Sequence, residues 1–397
     1  MLKGKCVVVG VCGGIAAYKV VEVVSRLKKL GAEVHVIMTE SAQEFVGELT
    51  FRTMSQNPVA TDMFGTPARW EVEHVSLAQK ADLFLVAPAT ANTLAKMAYG
   101  IADNMLLTTY LATRAPVLIA PAMNKNMYTH PVTVENMKKL SDGGCNFVRA
   151  GEGFLACGDV GIGRMAEPAE IVDAAVNLIA CEKDLAGKRV LVTAGATQEA
   201  IDPVRFITNH SSGKMGVAIA RAAKLRGAEV VLVHGKSSLP APYGVEAVCV
   251  GSAQEMCDAV LSRAPKCDII VKAAAVADYA PESVSTQKIK KGDADLSIAL
   301  KRNPDILESL GKNKLAGQVL VGFCMETQDL LANAQKKLEK KNCDLMVANS
   351  LTEPGAGFGC DTNTVTILKK NGEKLTPENM SKEALAHIIL SEAVKCK

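Results

Sequence analysis

The strongest constraint on the fold is a repeated segment, which occurs once near the N-terminus and once near the middle of the sequence. Residues 4–34 and 187–230 share one order: Gly-Lys, a β-branched run, a glycine-containing loop, a helical stretch and the tetrapeptide Gly-Ala-Glu-Val. The helical stretches end near Leu30 and Arg226. A β-branched run followed by helical periodicity and a glycine stop is typical of a βαβ unit. The chain therefore contains two related α/β units.

Each unit continues to a further apolar run, residues 83–87 in the first and 269–273 in the second. This pattern predicts an α/β fold with two doubly wound, Rossmann-like parallel sheets, each with a ligand crevice at the carboxyl ends of its strands. A charged stretch at 181–188 follows a predicted helix at 171–180. We therefore expect one domain over residues 1–182 and a second over 187–397.

Composition excludes several classes of protein. The formal net charge of the 397 residues is +3, which is too small to indicate a nucleic-acid partner. No apolar stretch reaches the length of about 18 residues that a membrane span needs. The 12 cysteines are scattered without a C-x-x-C pair, so we expect no zinc site and reduced thiols in a cytoplasmic protein.

The first glycine loop, residues 10–15, differs from the dinucleotide pattern G-x-G-x-x-G. The second predicted strand ends at Met38-Thr39, where a dinucleotide-binding fold would carry an acidic residue. A hydroxyl residue there suits a phosphate, and glycines before a helix also favour an anion. The loop favours a mononucleotide over NAD, with a bare glycine turn as the alternative.

The corresponding loop of the second unit, residues 195–214, is long for a βα connection, where a few residues are usual. It ends in Ser211-Ser212-Gly213-Lys214, which predicts a phosphate cradle at a helix start, or a plain capping loop. Several lysine runs follow, including a helix with Lys336, Lys337, Lys340 and Lys341. Solvated faces would explain each run alone, but together they favour a triphosphate.

Three motifs of the first unit occur together: His74-Val75-Ser76-Leu77, P-A-M-N-x-x-M at 121–127 and A-C-G at 156–158. In this order and spacing they resemble the flavin-dependent cysteine decarboxylases, specifically the phosphopantothenoylcysteine decarboxylases with their flavodoxin-like fold. The resemblance implies bound FMN. The residues that it assigns to the flavin are Gly13, Gly14, Thr39, Ala87, Thr90, Asn92 and Ala122.

The same resemblance implies catalytic roles for three residues. His74 would assist the oxidation of the substrate thiol, Asn124 would bind the substrate carboxylate with Met127 nearby, and Cys157 would donate a proton late in the reaction. Oxidation of the cysteine side chain places an electron sink β to the carboxylate, so CO2 can leave without forming an unstabilised carbanion. The cofactor performs the redox step and the protein orients the substrate.

The second unit carries six motifs in order: D-P-V-R at 202–205, N-H-S-S-G-K-M-G at 209–216, A-A-A-V-A-D-Y at 273–279, K-I-K-K at 288–291, N-P-D-I at 303–306 and G-F-x-x-E-T at 322–327. Together they resemble the phosphopantothenate–cysteine ligases. That family activates the carboxylate of 4'-phosphopantothenate with CTP and Mg²⁺, and the amine of cysteine then attacks the acyl-cytidylate.

The resemblance assigns Lys288 to the α-phosphate transition state and Asn209 to the acyl intermediate. The implied nucleotide-binding residues are Ala273, Ala274, Asp278, Lys288, Pro304, Asp305, Ile306, Leu307, Phe323, Lys337 and Lys341. The implied substrate-binding residues are Arg205, Asn209, Ser211, Ser212 and Lys214.

The two implied reactions are consecutive steps of coenzyme A biosynthesis, because the ligase product is the decarboxylase substrate. The families also imply decarboxylase trimers and ligase dimers, hence a large homo-oligomer such as a dodecamer. Two other interpretations stay open. One is a peptidyl-cysteine decarboxylase joined to an unrelated binding domain, and the other is a non-catalytic regulatory protein built on the flavin fold.

Overall fold

A computed structural model describes residues 1–64, 72–154, 160–237, 239–291, 296–326, 329–350 and 360–396. The chain divides into two compact units, Met1–Glu182 and Lys183–Lys397. Within the described ranges, no helix is both long enough and apolar enough to cross a membrane.

The first unit is built on a parallel sheet of six strands. The described strands of the whole unit are β1 (Cys6–Val11), β2 (Glu33–Met38), β3 (Val59–Ala60), β4 (Leu83–Ala89), β5 (Val117–Pro121), β6 (Asn146–Phe147), β7 (Gly151–Phe154) and β8 (Val160–Arg164). Its helices are α1 (Ala17–Lys29), α2 (Glu40–Gln43), α3 (Glu48–Ser55), α4 (Glu73–Lys80), α5 (Ala91–Tyr99), α6 (Met105–Ala112), α7 (Lys125–Tyr128), α8 (Pro131–Asp142) and α9 (Pro168–Ile179). The sheet has the order β3-β2-β1-β4-β5-β6, while β7 and β8 form a separate antiparallel pair.

The second unit repeats this plan and extends it. Its strands are β9 (Arg189–Ala194), β10 (Gln198–Ala200), β11 (Phe206–Thr208), β12 (Glu229–His234), β13 (Glu246–Cys249), β14 (Ile269–Lys272), β15 (Tyr279–Pro281), β16 (Leu300–Arg302), β17 (Val319–Glu326), β18 (Leu345–Ser350), β19 (Thr362–Asn363), β20 (Val365–Lys369), β21 (Lys374–Leu375) and β22 (Met380–Ser381). Its helices are α10 (Lys214–Leu225), α11 (Ala253–Leu261), α12 (Ile306–Lys312), α13 (Leu330–Lys340) and α14 (Lys382–Lys395), with a short 3-10 helix at Ala264–Lys266.

The main sheet of the second unit has the order β13-β12-β9-β14-β17-β18-β20-β21. The six strands from β13 to β18 are parallel, and β20 and β21 add an antiparallel edge. Apolar clusters cover both faces of this sheet. The prediction of two doubly wound α/β sheets is confirmed.

The repeated tetrapeptide Gly-Ala-Glu-Val has one physical cause in both units. Gly31 and Gly227 each follow a helix with φ of +90°, a left-handed conformation that glycine adopts without steric cost. The next residue then bonds back to the last turn, Ala32 N–H to Leu27 O and Ala228 N–H to Ala223 O, each at 3.1 Å. This arrangement is a Schellman motif that ends the helix, and the second strand of each unit begins directly after it.

The long predicted loop at 195–214 is more ordered than a plain connection. It contains the antiparallel hairpin of β10 and β11, in which Gln198 pairs with Thr208 and Ala200 with Phe206. A long segment beside a sheet must satisfy its own backbone hydrogen-bonding groups, and the hairpin does so locally.

Gly235, directly after β12, tests how tightly this loop packs. A Cβ at Gly235 would lie 1.9 Å from the carbonyl oxygen of Ala196, so a Gly235→Ala substitution must displace the backbone. We expect the second unit to lose about 1–3 kcal/mol of stability, as in other overpacked sites. Scanning calorimetry should show its transition several degrees lower.

Gly251→Ala is the matched control, because a Cβ there meets first the Glu255 carboxylate at 3.3 Å, at the end of a flexible side chain. Equal transition temperatures for the two variants would contradict the close approach at Gly235.

Candidate active sites

The first unit has a cavity of about 620 Å³ at the carboxyl ends of its central strands. There the neighbouring strands β1 and β4 lead into α1 and α5, at the point where the winding of the sheet reverses. Ligands of doubly wound sheets bind at this point. Of the predicted residues, the cavity is lined by Gly13, Gly14, Thr90, Ala122, Asn124 and Met127.

The glycine loop of this cavity packs closely against the start of α2. A Cβ at Gly13 would lie 2.4 Å from the Cβ of Ser41, so no larger residue fits without displacement. Thr39 is the N-cap of α2 but its side chain makes no capping bond. Its Oγ1 atom is buried and has no hydrogen-bond partner in the described part of the chain. A buried hydroxyl without a partner beside a glycine loop fits a phosphate oxygen.

The start of α5 forms another wall and is held by side-chain bonds. Thr90 caps the helix, and its Oγ1 accepts a hydrogen bond from the Thr93 N–H at 3.3 Å. Cys12, at the end of β1, is buried beside these threonines. Burial raises the pKa of the Cys12 thiol to about 11, so this thiol stays protonated near neutral pH and serves packing.

The opposite wall joins the Asn124 turn to β8. Met123 donates a backbone hydrogen bond to Gly163 at 2.9 Å. A Cβ at Gly163 would lie 2.4 Å from the Met123 oxygen, which explains the glycine at this position. The Asn124 side chain accepts a hydrogen bond from the Asn126 N–H at 2.8 Å, and this bond fixes its carbonyl oxygen at the cavity edge.

Sequence reasoning missed two cations in this cavity, Lys19 and Arg164. Both bond to Glu167, Lys19 at 3.2 Å and Arg164 at 2.9 Å. Lys19 lies in the first turn of α1, five residues after Gly14. Its place directly after the glycine loop was the sequence feature that could have identified it. The pair adds positive charge to a wall that also contains Asn124.

Other predicted residues of the first unit lie outside the lining of this cavity. Thr39 is half-buried directly after β2, Ala87 is buried within β4, Asn92 is exposed on α5, and His74 is half-buried on α4. Cys157 falls on residues 155–159, outside the described ranges.

The second unit has a cavity of about 460 Å³ at the equivalent reversal point, between β9 and β14. Hydrogen bonds join the loops that follow these strands. Ala274 N–H bonds to Thr193 Oγ1 at 3.1 Å, and Ala275 N–H bonds to Gly195 O at 2.9 Å. Of the predicted residues, this cavity is lined by Asn209, Ser211, Ser212, Lys214, Ala273, Ala274, Phe323 and Lys337.

The predicted phosphate cradle lies in this cavity. Gly213 precedes α10 with φ of +75°, and its N–H bonds to Ser211 Oγ at 3.3 Å. A Cβ at Gly216 would lie 2.6 Å from the Cβ of Ala194, so glycine allows the first turn of α10 to approach β9. The helix N-terminus therefore faces the crevice and favours an anion there.

Four lysines line the cavity: Lys214, Lys272, Lys337 and Lys382. None of the described lining residues is Asp or Glu. Lys214 pairs with Asp361 at 2.7 Å, outside the lining. Burial lowers the pKa of both Lys272 and Lys382. Lys272 and Lys382 were not predicted from the sequence. Neither was Asn349, whose Oδ1 is buried without a hydrogen-bond partner among the described residues.

Lys341 and Asp305 lie outside the cavity lining and bond to each other at 2.8 Å. Asp305 also caps α12 by accepting from the Glu308 N–H at 2.9 Å, while Ile306 and Leu307 are buried in the core. Pro304 and the exposed Asp278 also lie outside the lining.

Arg205 and Lys288 also lie outside the cavity lining. The buried carboxylate of Asp202 connects the segments that carry them. Arg205 bonds to Asp202 at 2.6 Å and to the Ile289 oxygen at 2.7 Å, and Asp202 accepts from the Ile289 N–H at 3.1 Å. The Arg205 guanidinium holds the pKa of Asp202 well below its usual range. This clamp anchors the segment that carries Lys288, which is itself exposed.

In the described part of the chain, no group of three or more His, Cys, Asp or Glu side chains is placed to hold a metal ion.

Two protein families match the chain. Residues 1–180 match the family described as Flavoprotein, and residues 185–396 match the family described as DNA/pantothenate metabolism flavoprotein C-terminal domain.

Named relatives match both units. The coenzyme A biosynthesis bifunctional protein CoaBC of Bacillus subtilis (strain 168) is 50% identical over 395 residues, 99% of this chain and 97% of the relative. A cysteine/cysteine sulfinic acid decarboxylase from an unknown prokaryotic organism is 49% identical over 329 residues, 81% of this chain and 91% of the relative. The crystal structure of the C-terminal domain of a CoaBC protein is 44% identical, with 53% of this chain and 96% of that chain covered and a TM-score of 0.46.

Proposed function

This chain belongs to the family of bifunctional coenzyme A biosynthesis proteins, and on that premise we propose that its two units catalyse consecutive reactions. Residues 187–397 join cysteine to 4'-phosphopantothenate with CTP, and residues 1–182 then decarboxylate the product to 4'-phosphopantetheine with FMN. The observation that carries the proposal is the match of both units to one relative at 50% identity over 99% of the chain. A cytoplasmic location belongs to the same proposal.

The first cavity fits FMN in three respects. Gly13 and Gly14 line it, with Gly13 packed closely against Ser41; the buried Thr39 Oγ1 has no partner among the described residues; and α5 starts at the cavity. Gly13, Gly14, Thr39 and Thr90 would hold the phosphate end, with Ala87, Asn92 and Ala122 along the flavin. Bound FMN supplies the two-electron redox chemistry that this decarboxylation requires.

The protein groups bind the substrate and move its protons. Asn124 has a fixed amide at the cavity edge and binds the substrate carboxylate, with Met127 beside it. Lys19 and Arg164 favour the carboxylate in its ionised form. His74 assists the deprotonation of the substrate thiol, and Cys157 protonates the product carbon.

The position of His74 supports a homo-oligomer. His74 lies on α4 outside the lining of the cavity, and Val72 and Val75 beside it are exposed by 59% and 37%. A second copy packed on α4 would cover these apolar side chains. Together with the family resemblance, this favours a large homo-oligomer such as a dodecamer, which analytical ultracentrifugation would measure.

Thr39→Val tests the flavin phosphate site. The substitution removes a hydroxyl that makes no capping bond, so α2 should not be affected. We expect the dissociation constant of FMN to rise about tenfold, as for the loss of a hydrogen bond to a charged group. Quenching of FMN fluorescence on rebinding to the apoprotein measures this constant. Thr53→Val, at an exposed position of α3, is the control, and an equal affinity for both variants would contradict the assignment.

Cys157→Ser tests the late proton donor. Serine is a far weaker acid than cysteine, so the variant should release CO2 but stall before the final protonation. Mass spectrometry should find a product that lacks two hydrogens. Cys181→Ser should give the normal product, and normal turnover by Cys157→Ser would remove Cys157 from the mechanism.

The second cavity fits a nucleotide triphosphate and an activated carboxylate. Its lining combines Lys214 and Lys337 with Ser211, Ser212 and the N-terminus of α10. Asn209 donates to the Val276 oxygen at 3.2 Å, which places its amide near the loop after β14, where it would bind the acyl intermediate. Mg²⁺ would enter with the phosphates of CTP and neutralise part of their charge.

The remaining ligase residues frame this cavity in the proposal. Asp278, Phe323 and the segment 304–307 hold the nucleoside. Lys341, which pairs here with Asp305 and Glu308, contacts the triphosphate. Arg205 contacts the substrate or holds the segment of Lys288, which stabilises the α-phosphate in the transition state.

Lys288→Gln tests this last role. Because the side chain is exposed, the substitution should leave the fold intact. Pyrophosphate release should fall at least a hundredfold, while decarboxylation of supplied phosphopantothenoylcysteine continues. Lys266→Gln is a control of equal charge change at an exposed position. Loss of both activities in Lys288→Gln would indicate misfolding instead.

One assay tests the whole proposal. Flavin-loaded protein receives phosphopantothenate, cysteine, Mg²⁺ and either CTP or ATP, and pyrophosphate, CO2 and product mass are followed. The relative described as a cysteine/cysteine sulfinic acid decarboxylase favours a second candidate for the first unit. Free cysteine and cysteine sulfinic acid are therefore added as alternative substrates, and CO2 from these alone would favour that candidate.

A further inference from the structure

Lys272 is the last residue of β14, at the reversal point of the second sheet. Its side chain lines the cavity, and its Nζ donates a hydrogen bond to the backbone oxygen of Ala274, two residues later, at 3.0 Å. Ala274 is itself bound to Thr193 Oγ1 at 3.1 Å. The Lys272 amine therefore has a defined position beside the cavity.

No ion pair neutralises this amine within the described part of the chain. Two carboxylates favour protonated Lys272 without pairing with it. Asp305 is occupied by Lys341 at 2.8 Å and by its capping bond to the Glu308 N–H, and Asp278 is exposed and lies outside the cavity lining. A desolvated cation with one carbonyl partner is costly, and proteins normally pair such a group. Lys272 has two further N–H groups to donate.

The surroundings of Lys272 indicate the charge of the missing partner. Lys337 lines the same cavity, while none of the described lining residues is acidic. Lys214 and Lys382 also line the cavity, so its lining carries an excess of positive charge. An anion with several charged oxygens, such as a polyphosphate, can balance this charge and accept from Lys272.

We propose that Lys272 binds a phosphate oxygen of the nucleotide co-substrate, together with Lys337. The inference rests on the proposed ligase function and adds a nucleotide-binding residue to it. Lys272 would orient the polyphosphate at the end of β14, between the loop at 273–277 and α13.

Binding of inorganic tripolyphosphate to the full-length, flavin-loaded protein tests the proposal without any chemistry. Isothermal titration calorimetry compares the wild type with Lys272→Met, which keeps an unbranched side chain, one heavy atom shorter, and removes its charge. We expect the dissociation constant to rise at least tenfold. Lys336→Met, an equal loss of charge at an exposed position of α13 outside the lining, should stay within about twofold of the wild type.

The Lys272→Gln variant distinguishes the contribution of the positive charge from that of the hydrogen bond to the Ala274 oxygen. Glutamine keeps an N–H donor near the end of the side chain, one heavy atom closer to the backbone, while it removes the cation. We expect it to lose affinity as Lys272→Met does. Wild-type affinity in Lys272→Gln would overturn the proposal and leave Lys272 as a support of the loop, and so would equal affinities of Lys272→Met and Lys336→Met. Circular dichroism identifies any variant that fails to fold, and the other charge-removing variant then decides.

Ligase kinetics separate this inference from the function on which it rests. If the wild type releases pyrophosphate with CTP, the Lys272 variants should show a KM for CTP raised at least tenfold, with unchanged decarboxylation by the first unit. Normal KM values in active variants overturn the role of Lys272 alone. A wild type that releases no pyrophosphate with any nucleotide overturns the proposed ligase function, and with it the assignment of the phosphate to a co-substrate.

Discussion

Both cavities depend on the reversal of winding in a parallel sheet. At β1 and β4, and again at β9 and β14, neighbouring strands lead into connections on opposite faces, so the loops after them separate. Backbone N–H groups and helix N-termini remain at the opening, and they favour anionic ligands before any side chain contributes. One architectural constraint therefore explains why two different chemistries occupy the same place in two related units.

The units differ in what surrounds this opening. In the first, a short loop with Gly13 packs against Ser41, and the cavity is lined largely by apolar residues, with Lys19 and Arg164 in one wall. In the second, the hairpin β10–β11 occupies the long loop, and four lysines line the cavity. The first arrangement suits a tightly held flavin, and the second suits a charged substrate that must enter and leave.

Local patterns predicted most of the fold because they act over short distances. The left-handed stops at Gly31 and Gly227, the buried strands and the starts of α5 and α10 all follow from residues within one or two turns of each other. The partners of long side chains do not. The helical period predicts that Lys337 and Lys341 lie one turn apart. It does not predict that Asp305, 36 residues earlier in the chain, lies beside Lys341. The Thr39 and Asn349 oxygens, which are buried without a hydrogen-bond partner among the described residues, were equally beyond sequence reasoning, because burial depends on the whole unit.

By itself, the sequence determined two βαβ-based units, the glycine loops and the motifs that identify the family. These follow from backbone conformation and residue order, which are properties of contiguous segments. Only the tertiary structure decided which cations face the ligand. Lys272 belongs to an otherwise apolar strand, and the sequence does not distinguish it from a residue at the edge of the core. The packing of β14 between β9 and β17 places Lys272 at the cavity, and no carboxylate of the described residues pairs with it, since Asp305 is held by Lys341 and Asp278 is exposed.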